Sequence, residues 1–119
     1  MTKRLLWLDD IRNPMDGVWV DWLDENTKDD FDYDITWVKS GEEFVEYITE
    51  YGLPDLVCFD HDLGEEDGKT LDGYDCAKWL VDYCVDNDEA LPRWLIQSAN
   101  PVGAKNINNY LQNFLKTQS

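Results

Sequence analysis

The chain has 119 residues, with 26 acids against ten lysines and arginines, and a net charge of −16. That length suits one domain and not two, so the expectation is a single domain over residues 1–119. Such a charge repels duplex DNA and anionic membranes, and it leaves carboxylates available to a cation or a basic protein partner.

Lys3 to Leu8 reads as the first strand, and its apolar run Leu5-Leu6-Trp7-Leu8 stops at Asp9-Asp10. A short apolar run bounded by polar residues is the pattern of a strand buried on both faces. Arg12-Asn13-Pro14 follows as loop, because Pro14 disfavours helix at Asn13. Asp16 to Asp34 carries eight acids and one lysine, Lys28. Trp19 and Trp22 can pin this stretch to the body, and its acidity predicts irregular structure with at most a short helix. Its acids read either as a solvated connection or as a surface for a partner.

Ile35 to Val38 is the second predicted strand. Ser40 with Glu43 is a capping-box pattern, and it opens a helix whose Phe44, Tyr47, Ile48 and Tyr51 recur at helical spacing. Gly52 and Pro54 end that helix. Leu56 to Phe59 is the third strand, and it stops at Asp60-His61-Asp62. The polar stretch Glu65 to Thr70 predicts a loop over that strand end. Asp72 can cap the next helix, with Ala77, Leu80, Val81 and Cys84 inward and Asn87-Asp88 closing it. Arg93 to Ile96 is the fourth strand, ending at Gln97-Ser98. Asn100-Pro101 opens the last helix, Asn as N-cap and Pro in first position. Ile107, Tyr110, Leu111, Phe114 and Leu115 are expected to face the core.

Strands alternating with helices imply parallel βαβ units with right-handed crossovers. The expected fold is α/β: a small three-layer arrangement of four parallel strands in order 2-1-3-4, with helices on both faces. Ligands of such sheets bind beyond the carboxyl ends of the strands. That edge gathers Asp9, Asp10, Asp60, His61, Asp62, Ser98 and the start of the last helix.

These residue types have a chemistry. Asp9, Asp10, Asp60 and Asp62 repel one another until a cation joins them. All-oxygen ligands suit a hard ion, Mg²⁺ or Mn²⁺. His61 is the only histidine of the chain and can exchange a proton near neutral pH. Ser98, Asn100, Gly103 and the free N–H groups of a helix start make an anion site, and Arg12 adds a cation to it. Cation and anion sites on one edge point to a phosphate ester. Cys58, Cys76 and Cys84 have no metal or redox spacing and read as packing residues. Three such cysteines and no signal peptide predict a reducing cytoplasm. No apolar run approaches the roughly 18 residues of a membrane span.

The paired acids Asp9-Asp10, then Asp60, then Ser98 resemble the response-regulator receiver, a flavodoxin-like fold. The resemblance implies that the paired acids hold Mg²⁺, that Asp60 accepts a phosphoryl group and that Ser98 contacts it. A closer resemblance is to the cyclic-phosphate processing receiver domain. It is carried by Leu6 to Pro14, Phe59 to Gly64, Gly73-Tyr74-Asp75 and Ser98 to Gly103. It implies processing of a cyclic phosphate on a nucleotide or RNA end, in a phage or bacterial setting. Two positions depart from these patterns. No fifth strand is predicted to carry the lysine of ordinary receivers, and Gln97 stands where the closer family often has a histidine.

Three functions follow as expectations. One is a metal-dependent phosphoesterase, a hydrolase in which His61, Asp60 and Ser98 are catalytic. The second is a receiver-like sensor that binds a phosphate ligand without turnover. The third is an acidic interaction protein that mimics nucleic acid and occupies a basic partner. Acids converging on one pocket favour the first two, and acids spread over an outer face favour the third.

Overall fold

A computed structural model describes residues 2–10, 12–27, 32–60, 72–97 and 101–118. Among these the chain runs β1 (Thr2–Leu8), α1 (Gly17–Thr27), β2 (Asp32–Val38), α2 (Gly41–Tyr51), β3 (Leu56–Phe59), α3 (Gly73–Asp86), β4 (Arg93–Ile96) and α4 (Pro101–Gln118). The four apolar residues of β3 are all buried, so this strand has neighbours on both edges and cover on both faces. It pairs in parallel with β1 on one side and β4 on the other, and β2 pairs in parallel with β1. The four-stranded sheet therefore has the order 2-1-3-4 that the crossover rule predicts.

Side chains alternate along each strand and separate two cores. Leu6, Leu8, Val57 and Phe59 face one side, where Phe44 and Ile48 of α2, Ala77 and Leu80 of α3, and Ile107 and Leu111 of α4 cover them. Leu5, Trp7, Leu56 and Cys58 face the other, under Leu23, Trp19 and Trp22 of α1. Each fully buried side chain contributes about 1.5–3 kcal/mol over its exposed state.

Local chemistry sets the helix ends. Ser40 Oγ accepts from the Glu43 N–H at 3.1 Å. The Gly52 N–H closes α2 on the Ile48 carbonyl at 2.8 Å, with φ +85°, a conformation that favours glycine. Arg4 reaches the same terminus and donates to the carbonyls of Tyr51, Gly52 and Leu53. Asp72 and Asp75 exchange two backbone-to-carboxylate hydrogen bonds, of 2.8 and 3.2 Å, at the start of α3.

Three expectations change. The acidic stretch, expected to be irregular with at most a short helix, contains a three-turn helix of eleven residues, α1. Trp19, Trp22 and Leu23 fall at i, i+3 and i+4, and this stripe packs on the other core while Asp21 and Glu25 stay exposed. Burial of two indoles outweighs repulsion between solvated carboxylates. β2 begins at Asp32 rather than Ile35, because Thr2, Lys3 and Arg4 of β1 offer Asp32, Tyr33 and Asp34 a ladder. Leu115 continues the α4 stripe one turn past Leu111 yet is 38% exposed, where it borders residues 88–91. The predicted loop 65–70 lies outside the described residues. No helix among the described residues is long and apolar enough to cross a membrane.

Candidate functional site

Strand register builds the site. Leu5, Leu6 and Trp7 stand opposite Leu56, Val57 and Cys58. Two residues further along the same register, Asp9 comes level with Asp60. Phe59 stands opposite Ile96, so Gln97 follows level with Asp60 as well. Asp9 and Asp60 are buried, Asp10 is half-buried, and one ligand oxygen from each lies within 4.8 Å of the other two.

Carboxylates out of water need partners. Asp9 Oδ1 accepts from the Arg12 backbone N–H at 2.9 Å. Arg12 Nη1 lies 3.1 Å from Asp9 Oδ2 and 3.5 Å from Asp60 Oδ2. The guanidinium also lies over the Trp19 ring, 5.7 Å from its centroid. The guanidinium thus lies against two of the three acids, Asp9 and Asp60, and a hard divalent cation would draw on the same carboxylates. The donor set is all oxygen, which fits Mg²⁺ or Mn²⁺ and not a soft metal. Cys58 is no competing ligand: it faces the other core, and burial pushes its thiol well above the usual range.

Two indoles fix the acid-bearing loop. Trp7 Nε1 donates to the Arg12 carbonyl at 2.8 Å, and Trp37 Nε1 donates to the Asp9 carbonyl at 2.7 Å. The Asp9 N–H donates to the Val38 carbonyl at 3.1 Å, so the β1–β2 ladder runs on into the site. Sequence reading placed Trp7 and Trp37 within predicted strands and gave their indoles no role at the site. The available signal was general: a buried indole N–H needs an acceptor.

Gln97 ties three strand ends together. Its backbone N–H donates to the Phe59 carbonyl at 3.0 Å. Its Nε2 crosses β3 and donates to the Leu8 carbonyl at 3.0 Å. Its Oε1 is buried and has no hydrogen-bond partner among the described residues. An unmet buried acceptor costs about 1–3 kcal/mol, and functional edges are where such costs collect.

The structure thus brings Asp9, Asp10 and Asp60 together and adds Arg12 to them. Gly103 is buried in the first turn of α4. His61, Asp62, Ser98 and Asn100 lie outside the described residues.

No curated protein sequence matches the chain. Among solved structures, the N-terminal domain of a response regulator/sensory box/GGDEF 3-domain protein from Carboxydothermus hydrogenoformans is 19% identical, with a TM-score of 0.53 over 97% of this chain and 92% of that one. A fusion carrying the trimeric coiled coil of yeast Spc42, amino acids 181–211, is 19% identical, with a TM-score of 0.56 over 98% of this chain and 76% of that one. At that identity the likeness concerns the fold alone, and the first of these makes it receiver-like. A model of the cyclic-phosphate processing receiver domain matches residues 4–113, and the chain belongs to that family.

Proposed function

We propose that this domain binds a cyclic phosphate on a nucleotide or RNA end, with Mg²⁺ or Mn²⁺, and hydrolyses it to a monoester. The observation behind this reading is the convergence of Asp9, Asp10 and Asp60 at the carboxyl edge of the sheet. These three carboxylates, with Asp62 next to them in sequence, are the proposed cation ligands. A bound divalent cation would supply Lewis acidity toward a phosphoryl oxygen. Arg12, Ser98, Asn100, Gly103 and the start of α4 bind and orient the phosphate.

In hydrolysis a water oxygen forms a bond to phosphorus and the ring P–O bond breaks. Water gives up one proton and the leaving oxygen gains one. His61, adjoining Asp60 in the chain, is the group proposed to move that proton. Asp60, through the cation it would hold, and Ser98, through its hydroxyl, would keep the phosphoryl group in line with it.

A second reading is a sensor that binds without turnover. Gln97 favours it: an amide cannot titrate, and this one is engaged with the Leu8 carbonyl. The acidic-mimic reading rests on exposed acids such as Asp21 and Glu25, and a basic protein is the partner it calls for.

The test is to incubate the protein and Mg²⁺ or Mn²⁺ with 2′,3′-cyclic nucleotides, RNA ends and cyclic oligonucleotides. The enzyme reading expects a phosphomonoester, and His61→Ala should lower its formation by about 10²–10⁴-fold with little loss of ligand affinity. Binding without product selects the sensor. Neither binding nor product overturns both.

A further inference from the structure

Arg12 sits where a metal ion would compete with it. Its Nη1 is 3.1 Å from Asp9 Oδ2 and 3.5 Å from Asp60 Oδ2, the two buried acids of the trio. A divalent cation and a guanidinium carry the same sign and draw on the same carboxylates. Binding of the first therefore weakens the hold on the second.

The geometry also says which part of Arg12 can move. Its backbone is fixed twice: the carbonyl accepts from Trp7 Nε1 at 2.8 Å, and the N–H donates to Asp9 Oδ1 at 2.9 Å. Its side chain is 20% exposed, against 0% and 3% for the side chains of Asp9 and Asp60. The guanidinium thus has a route to solvent that the carboxylates lack. The Trp19 ring already lies 5.7 Å from the guanidinium, a face on which the group can stay stacked when the carboxylates release it.

We infer that Arg12 is an exchangeable internal counter-ion: it pairs with Asp9 and Asp60, yields them to a divalent cation when one binds, and then presents its guanidinium to the anionic ligand. This rests on the metal reading proposed above. It makes the two ligands cooperative. The cation releases a donor for the anion, and an anion that holds Arg12 removes the cation's competitor. By linkage each tightens the other by the same factor.

The experiment is a Mg²⁺ titration of the wild type and Arg12→Gln, with and without inorganic phosphate. It is read by calorimetry and by tryptophan fluorescence, since Trp19 reports the guanidinium above it. Without phosphate, Arg12→Gln should bind Mg²⁺ about fivefold or more tightly than wild type, within the usual span of coupling between sites. Phosphate should strengthen Mg²⁺ binding in the wild type and do so much less in the variant. Arg12→Lys, which keeps the charge but not the fork, should fall between them. If Arg12→Gln folds poorly alone, a larger rise of its melting temperature with Mg²⁺ than the wild type shows carries the same support. Equal or weaker Mg²⁺ affinity in Arg12→Gln overturns the exchange and leaves the metal reading standing. Equal strengthening by phosphate in both proteins also overturns it. Absence of Mg²⁺ binding in both removes the exchange and the metal reading together.

Discussion

On one face of the sheet, Leu6, Leu8, Val57 and Phe59 lie beneath α2, α3 and α4. On the other, Leu5, Trp7, Leu56 and Cys58 lie beneath α1, whose contribution is Trp19, Trp22 and Leu23. The buried centre of the first face is mostly aliphatic side chains and the rings of Phe44 and Phe59, with Trp79, Trp94 and four tyrosines only partly buried at its margin. The second is filled with indoles that pack edge to face, 5.7–6.1 Å apart for Trp7, Trp19 and Trp22. Every indole brings an N–H, and those of Trp7 and Trp37 reach the loop that carries Asp9 and Arg12. The difference assigns the two faces different work. The three-helix face supplies most of the burial that keeps the sheet together. The tryptophan face converts burial into position for the site.

The strongest way to break this contrast is Phe44→Ala, on the three-helix face. Phe44 is fully buried, with its ring 5.9 Å from that of Phe59. The substitution should destabilise the protein by about 3–5 kcal/mol, measured as a lower urea midpoint. Below that transition, Mg²⁺ affinity should be near wild type. A large loss of affinity without a loss of stability would contradict the division of labour.

Next comes the site itself. A divalent cation that binds only the folded protein raises stability by about 2.7 kcal/mol at a hundredfold excess over its dissociation constant. Changing Asp9 and Asp60 together to Asn should abolish the rise in melting temperature with Mg²⁺. An unchanged rise would move the metal elsewhere.

Trp37→Phe sharpens the comparison on the tryptophan face. It keeps a ring and removes the N–H that holds the Asp9 carbonyl at 2.7 Å. The expected stability loss is about 0.5–1.5 kcal/mol. The informative readout is weaker Mg²⁺ binding at nearly constant stability, the reverse of Phe44→Ala.

The smallest effect concerns the thiols. Burial and the neighbouring Glu89 carboxylate push the Cys84 thiol up to about 11. The unfolded thiol ionises near 9.0, so its contribution to stability is whole below that pH and is lost as pH rises through about 11. At pH 8, Cys58, Cys76 and Cys84 should resist a thiol reagent in the folded protein and react in denaturant. Rapid labelling of the native state would mean that the cores open more readily than their packing implies.

Much of this protein is determined within short stretches of chain. β1 and β3 were legible because apolar runs stop abruptly at Asp9 and Asp60. The starts of α2 and α3 were legible because Ser40–Glu43 and Asp72–Asp75 satisfy backbone groups three residues away. The order 2-1-3-4 followed from crossover handedness, and that order placed Asp9, Asp10 and Asp60 on one edge. Tertiary structure alone decided the rest. α1 was hidden because its acids are local, whereas Trp7, the ring that its tryptophans pack against, belongs to β1. Trp37 finds the Asp9 carbonyl 28 residues away, and Gln97 finds the Leu8 carbonyl 89 residues away. Such partners are set by strand register and strand order acting together, and no local pattern specifies them. Arg12 could be read as a cation near the site. That it already holds Asp9 and Asp60 follows from two strand ends being brought level, which only the assembled sheet does.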